Sequence, residues 1–284
     1  MPVVLSPWQI RNYSFSWGDR TYIMGVLNTT PDSFSDGGEF DTVEKALVQA
    51  RSLRDAGADI LDIGGQSTRP QATEISLQEE LQRVIPVVQA VRQEMDLPIS
   101  VDTTRAAVAA AAIAAGADVI NDISGATYDS AMLPTVAKLG VPIILMHIRG
   151  TPQTMQQLTD YQDVIGELVA FLQARIEAAV AIGVQRDLIA IDPGIGFAKT
   201  YTQNIEILRH LAAFQSLNCP LLVGVSRKSF IGYILEQPDP KQRVWGTAAA
   251  CCAAIAQGTD ILRVHDVREM QDVCRVADAI WRSR

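Results

Sequence analysis

Eight short apolar runs, rich in β-branched residues, punctuate the chain at 22–27 (YIMGVL), 60–63 (ILDI), 99–101 (ISV), 119–123 (VINDI), 142–146 (PIILM), 188–191 (LIAI), 220–225 (PLLVGV) and 261–264 (ILRV). Each closes on a polar or glycine-containing turn. Between them lie stretches with helical periodicity, such as 43–56, 77–94, 105–115 and 161–182. Runs buried on both faces and alternating with helices predict a parallel sheet wrapped in helices. The phrases AGADIL (56–61), AGADVI (115–120) and QGTDIL (257–262) repeat a helix-stopping glycine just ahead of a strand. Eight strand–helix units in 284 residues predict an α/β fold of one kind, a single closed (β/α)8 TIM barrel, in preference to an open sheet. One domain is expected over 1–284, with its core at about 22–281, because no linker or composition shift divides the chain. The segment 237–243 (QPDPKQR) reads as one surface loop.

Composition narrows the class. Hydrophobic residues make up 48%, ample for one sizeable core, and 24 basic against 32 acidic residues give a net charge of −8. An acidic chain with no basic arm argues against nucleic-acid or membrane-surface partners, which need a field of the opposite sign. The longest uncharged stretches, 106–117 and 244–259, fall short of the roughly 18–20 apolar residues that span a bilayer. They read as Ala-rich helices in a crowded layer. The N-terminus lacks the basic-then-apolar order of a secretory signal. Cys219, Cys251, Cys252 and Cys274 show no C-x-x-C spacing, so reduced, mostly buried thiols and a cytoplasmic location are expected.

In a parallel barrel the chemistry collects at the C-terminal strand ends. Here those ends carry Asn28–Gly38, Asp62–Pro70, Asp102-Thr103-Thr104, Asn121-Asp122, His147, Asp192–Phe197, Ser226–Ser229 and Arg263–Asp266. One Asp or Asn after a strand is explained by helix capping; eight polar ends on one rim are not. Asp102, Asn121 and Asp192 form a fork suited to an N–H-rich heterocycle. Arg69, Arg227, Lys228, Arg263 and His265 suit phosphate or carboxylate. Together they point to a flat nitrogen heterocycle joined to an anion. The three histidines, His147, His210 and His265, form no H-E-x-x-H pattern, which argues against a metal hydrolase. His210 reads as a helix-surface or half-buried residue, and for His147 packing and ligand contact both stay open. Lys199 and Arg149 read as solvated loop charges. The pairs Gly37-Gly38 and Gly64-Gly65 match no Walker or Rossmann loop and read as sources of loop flexibility.

At these residues the chain resembles the dihydropteroate synthase family, over almost its whole length. The resemblance rests on MGVLNTTPDSFSDGG (24–38), GGQSTRP (64–70), VDTTR (101–105), NDISG (121–125), DPGIGF (192–197), SRKSFIG (226–232) and RVHDV (263–267). It implies a transferase that joins 6-hydroxymethyl-7,8-dihydropterin diphosphate to p-aminobenzoate, through a pterin-methyl cation formed as pyrophosphate departs. By the same resemblance Asp102, Asn121, Asp192 and Lys228 bind the pterin, with Met146 and Phe197 as apolar walls. Asn28, Thr68, Arg263 and His265 bind the diphosphate, and Mg2+ is held by Asn28 together with phosphate oxygens. Phe34, Pro70, Lys228 and Ser229 form the p-aminobenzoate pocket under two closing loops. Asp36 adds negative potential near the cationic carbon, and Arg69 and Lys228 complete the catalytic set. The resemblance also implies a homodimer through outer helices near the C-terminus.

Two positions depart from the family's G-G-E-S-T-R-P-G: Gln66 replaces the acid and Gln71 the last glycine. Both bear on the second loop and not on a binding residue. A rival reading is a pterin-binding methyltransferase domain, which shares the barrel and fork and moves a methyl group from methyltetrahydrofolate to a corrinoid protein. It has no need of a diphosphate pocket. A non-catalytic pterin binder would tolerate loss of Asn28, Arg263 and His265, yet all three are present.

Overall fold

The computed structural model describes residues 5–29, 39–69 and 72–282. A short antiparallel hairpin, β1 (Trp8–Ile10) and β2 (Tyr13–Phe15), leads into the main sheet. Among the described residues that sheet has eight parallel strands. They are β3 (Tyr22–Asn28), β4 (Ile60–Gly64), β5 (Ile99–Asp102), β6 (Val119–Asp122), β7 (Ile143–Met146), β8 (Ile189–Asp192), β9 (Leu222–Val223) and β10 (Ile261–Val264). They pair in the order β8-β7-β6-β5-β4-β3-β10-β9, and a parallel bridge from Ile191 to Leu221 brings the two edges together. This is the expected barrel. β9 is shorter than the run at 220–225 because Pro220 has no N–H to give the ladder; its carbonyl instead accepts from Ile191 N at 2.9 Å, at the seam.

The helices are α1 (Glu39–Asp55), α2 (Leu77–Glu94), α3 (Ala106–Ala115), α4 (Met132–Leu139), α5 (Val164–Ala181), α6 (Tyr201–Arg209), α7 (Ser229–Ile234), α8 (Val244–Ala256) and α9 (Val267–Trp281). Local chemistry sets their ends. Ser76 and Asp163 cap α2 and α5 with side-chain oxygens, and Thr200 with Gln203 makes a capping box on α6. The repeated glycines stop helices as the sequence predicts: Gly57, Gly116 and Gly258 take φ of 100°, 113° and 90°. The aspartate two residues after each has a second task. Asp59 accepts from Ile23 N at 2.8 Å, Asp118 from Ile99 N at 2.9 Å and Asp260 from Leu221 N at 3.0 Å. Each repeat thus ends a helix and also satisfies a donor at the start of the neighbouring strand.

Side-chain alternation divides the core. Ile23, Leu27, Leu61, Ile63, Val101, Ile120, Leu145, Ile191 and Leu262 pack outward under the helices. Met24, Ile60, Val119, Ile144, Ala190, Leu222 and Ile261 fill the lower barrel with the hairpin residues Trp8, Ile10 and Phe15. The sequence reading did not include this hairpin, since its strands are three residues each, too short for a periodicity. It closes the N-terminal end of the barrel, where Trp8, Phe15, Trp17 and Tyr22 meet ring to ring.

Candidate active site

Two residues further along four of the strands the same inward face turns polar. Because side chains alternate with period two, Ile60 is followed inward by Asp62, Val119 by Asn121, Ala190 by Asp192 and Ile261 by Arg263. Asp102 reaches the same level from β5, paired in register with Gly64 and Asn121. The result is a ring of charged and amide groups on an apolar floor.

Arg263 ties the ring together. Its Nε donates to Asp62 Oδ2 at 2.6 Å and its Nη2 to Asp102 Oδ2 at 2.9 Å, while Asn121 Nδ2 donates to Asp62 Oδ2 at 3.2 Å. Burial pushes the Asp102 carboxyl up to about 7, with Arg263 opposing and Asp62 reinforcing. Burial works against the Arg263 charge too, but the two carboxylates beside it outweigh that and hold it charged. Asp102, buried beside one shared guanidinium, is thus poised near neutrality. Asp62 is fully buried, and its Oδ1 has no hydrogen-bond partner among the described residues. In the sequence it stands at a strand end, with no role assigned to it there. The signal was an acid inside an otherwise apolar strand, ILDI, two residues from the glycine where the strand ends.

Asp192 accepts from Gly194 N at 2.7 Å. Burial pushes it up to about 6; the Gly194 N–H, Lys228, Lys199 and Arg263 act the other way. Lys228, half-buried, sits 4.3 Å from the centroid of the Phe197 ring, and burial beside Arg263 pushes its amine down to about 8. Phe197 and Met146 belong to one apolar cluster with Ile123, Ile148, Met155 and Ala198, which forms a wall beside the polar ring. Thr68 lines a small cavity of about 90 Å3 with Asp102, Gln66 and Ile123.

On the anion side Asn28 ends β3 opposite Gly64. His265 has Nδ1 at 3.1 Å from Ser226 Oγ. Burial, then Arg263 and Arg227, push the imidazole down to about 3, so it is neutral and not the cation the sequence suggested. Arg227 leaves the pool of free cations as well, because its guanidinium is engaged by both Asp266 oxygens. Arg69 and Ser229 are exposed at the rim. Phe34, Asp36 and Pro70 lie outside the described residues, as does Gln71.

Three further expectations are corrected. Lys199 is no solvated loop charge: it is 3% exposed, with Nζ 2.8 Å from Phe197 O and 3.1 Å from His147 Nδ1. Arg149 is partly covered, lying 3.7 Å from the Tyr161 ring centroid and paired with Asp160 and Glu167. Gly65 serves close approach and not flexibility, since a Cβ there would come within 2.7 Å of Val84 Cγ2 on α2. His147, left open by the sequence, is a buried packing residue with its ring edge-on to Phe171.

Among the described residues no trio of His, Cys, Asp or Glu could hold a metal ion. The barrel mouth instead offers the Asn28 amide oxygen, a single hard, neutral donor. That donor set fits an ion that brings most of its ligands from phosphate and water, as Mg2+ does.

The family described as pterin binding enzyme matches residues 24–265. Dihydropteroate synthase of Synechocystis sp. is 60% identical over 276 residues, covering 97% of this chain and 96% of the relative. The structure of dihydropteroate synthase from Clostridium difficile in the presence of pteroic acid superposes with a TM-score of 0.90 at 44% identity, covering 95% of this chain and all (100%) of that one. The Xanthomonas albilineans dihydropteroate synthase structure with 4-aminobenzoic acid gives a TM-score of 0.91 at 41% identity, covering 99% and 100% of the two chains. With this likeness running through the whole barrel and through every strand end that carries the polar ring, the chain belongs to the dihydropteroate synthase family of pterin-binding enzymes.

Proposed function

We propose that this chain condenses 6-hydroxymethyl-7,8-dihydropterin diphosphate with p-aminobenzoate to give 7,8-dihydropteroate and pyrophosphate. The observation that carries the reading is the inward ring of Asp62, Asp102, Asn121 and Asp192, crossed by Arg263 and walled by Phe197 and Met146. A pterin presents ring N–H groups to carboxylate and amide acceptors and its flat faces to the apolar wall. Asp102 and Asp192 suit this because each is buried near a cation, so each retains acceptor capacity in a dry pocket. Asp36, on the first loop, adds its negative potential in the same reading.

The reaction breaks the C–O bond to the diphosphate, whose oxygen keeps the electron pair, and forms a C–N bond to the aniline nitrogen. The aniline nitrogen attacks as the neutral amine and sheds its proton afterwards, so no strong general base is needed. That agrees with a site built from carboxylates locked to cations. Arg263, His265 and Thr68 bind the diphosphate, where Arg263 stabilises charge that grows on the leaving oxygens. Asn28 would hold Mg2+ against phosphate oxygens, and the ion's chemistry there is charge neutralisation of the leaving group. Lys228 and Arg69 line the approach of p-aminobenzoate, with Ser229, Phe34 and Pro70 as its contacts.

The same reading takes 1–284 as one working domain in the cytoplasm, with small molecules and no nucleic acid as ligands. Among the described residues no helix is long and apolar enough to cross a membrane. It also includes a homodimer. The groove between α6, α7 and α8, about 580 Å3 and lined by Ile205, Phe230, Ile234, Leu235 and Ala253, is the apolar face that a second copy would cover.

The test is pyrophosphate release from the pterin diphosphate with Mg2+, with and without p-aminobenzoate, and the product identified by mass. Release that depends on p-aminobenzoate, with dihydropteroate formed, is expected. Methyl transfer from methyltetrahydrofolate with no such release would overturn the reading in favour of the methyltransferase.

A further inference from the structure

Lys199 is buried and outside the set of residues assigned to substrate. Its Nζ donates to the Phe197 carbonyl at 2.8 Å and meets His147 Nδ1 at 3.1 Å. The His147 ring is neutral, pushed down to about 2 by burial and by Lys199 and Arg149, so Nδ1 can accept. The backbone of His147 in turn donates to Asp192 O at 3.0 Å.

The loop after β8 is shaped around this contact. Gly194, Gly196 and Ala198 take φ of 71°, 84° and 51°, an alternation that turns the Phe197 carbonyl toward the ammonium. A Cβ on Gly194 would meet His147 O at 2.1 Å and Lys199 Nζ at 3.4 Å, so glycine is what lets the loop close on the lysine. The aromatic ring of Phe197, meanwhile, lies under Lys228 in the pocket.

An ammonium buried without an adjoining carboxylate is costly, and a methionine would fill the space for packing alone. Burial pushes Lys199 down to about 7; Asp192 opposes this, and Lys228 and Arg149 add to it. The charged groups around the pair come from several elements: Lys228 after β9, Arg263 on β10, and Arg149 after β7 with its α5 partner Glu167. Of these, Asp192 is the carboxylate on which Lys199 acts.

We propose that Lys199 is a positioning residue for pterin binding: its Nζ holds the Phe197 carbonyl and the His147 ring, and with them the apolar wall and the loop after β8 whose Gly194 N–H meets Asp192. The inference rests on the synthase reading for the identity of that ligand. Lys199→Gln separates it from a plain structural role, since it keeps a side-chain N–H donor, on a chain one bond shorter, but carries no charge. Lys199→Met removes both.

Steady-state kinetics from acid to mildly alkaline pH, calorimetry with 6-hydroxymethyl-dihydropterin, and thermal melts would be run on wild type and both variants. For Lys199→Gln we expect an unchanged melting temperature and an unchanged KM for p-aminobenzoate. Its KM for the pterin diphosphate should rise about twofold at pH 7 and approach tenfold near pH 5, and the acid limb of its profile should move up by about one pH unit. Lys199→Met should show the same shift with weaker pterin binding still. A wild-type protein without turnover would count against the synthase reading. Wild-type turnover with a Lys199→Gln variant of unaltered pterin KM and acid limb would overturn the role of Lys199. So would a variant whose kinetic losses are equal for both substrates and track a lowered melting temperature.

Discussion

Burial pushes the Asp192 carboxyl up to about 6, while the Gly194 N–H, Lys228 and Lys199 favour its ionised form. Ligand binding and folding therefore respond to pH with opposite sign at this residue. The ionised form accepts the pterin N–H groups, so kcat/KM for the pterin diphosphate should fall as pH drops through about 6. Folding follows the linkage rule. The folded pKa lies above the ordinary carboxylate value, so the folded, ligand-free chain binds the extra proton in the window between. The contribution of Asp192 to stability is then largest at the acid end and is lost as pH rises through about 6. Melts of wild type and Asp192→Asn across that window check this: wild type should gain on the variant as pH falls. A difference that stays flat would mean that the carboxylate is not desolvated as described.

At the scale of an element, the loop after β4 shows what one side chain does for a segment. Gln66 Nε2 donates to Ser67 O and Thr73 O, both at 3.0 Å, and its Oε1 accepts from Ile75 N at 2.9 Å. Arg105 adds a bond to Ile75 O at 2.6 Å and Gln153 one to Ala72 O at 2.7 Å. The glutamate usual in the family at this position could keep the Ile75 bond but has no N–H for the two carbonyls. Gln66→Glu should leave turnover within a few-fold of wild type and lower stability by about 1 kcal/mol. Proteolysis within 67–75 should become several-fold faster, read by limited digestion and mass mapping. Equal digestion rates would show that the amide does not hold the loop. The departure from the family pattern was visible in the sequence; two of its three bonds were not, because they depend on where 73–75 return.

For the whole molecule, the outer face near the C-terminus carries large exposed aromatic residues. Tyr233 is 68% exposed on α7 and Trp245 83% exposed at the start of α8, beside the apolar groove. The homodimer proposed above would cover them. Sedimentation should give about twice the 30.9 kDa chain mass, and Trp245→Asp should lower the association constant while leaving the melting curve of the monomer cooperative. A wild-type protein that sediments as a single chain at micromolar concentration would remove the dimer from the reading.

The sequence by itself determined the strand–helix alternation, the helix-stopping glycines and the chain positions at which polar residues close the strands. These are local properties, set by period, turn chemistry and burial pattern. It also placed Asp102, Asn121, Asp192 and Arg263 at strand ends, which in a closed parallel barrel fall on one rim. What only the tertiary structure decided is how those groups are shared. Asp62 joins the ring because β4 alternates inward at that residue, and Arg263 spans two carboxylates because β10 and β4 flank β3. Arg227 is withdrawn by Asp266, His265 is held neutral by burial and by Arg263 and Arg227, and Lys199 is buried against the Phe197 carbonyl. Each of these depends on distances between residues far apart in the chain, and burial then fixes the charge state that the distance leaves open.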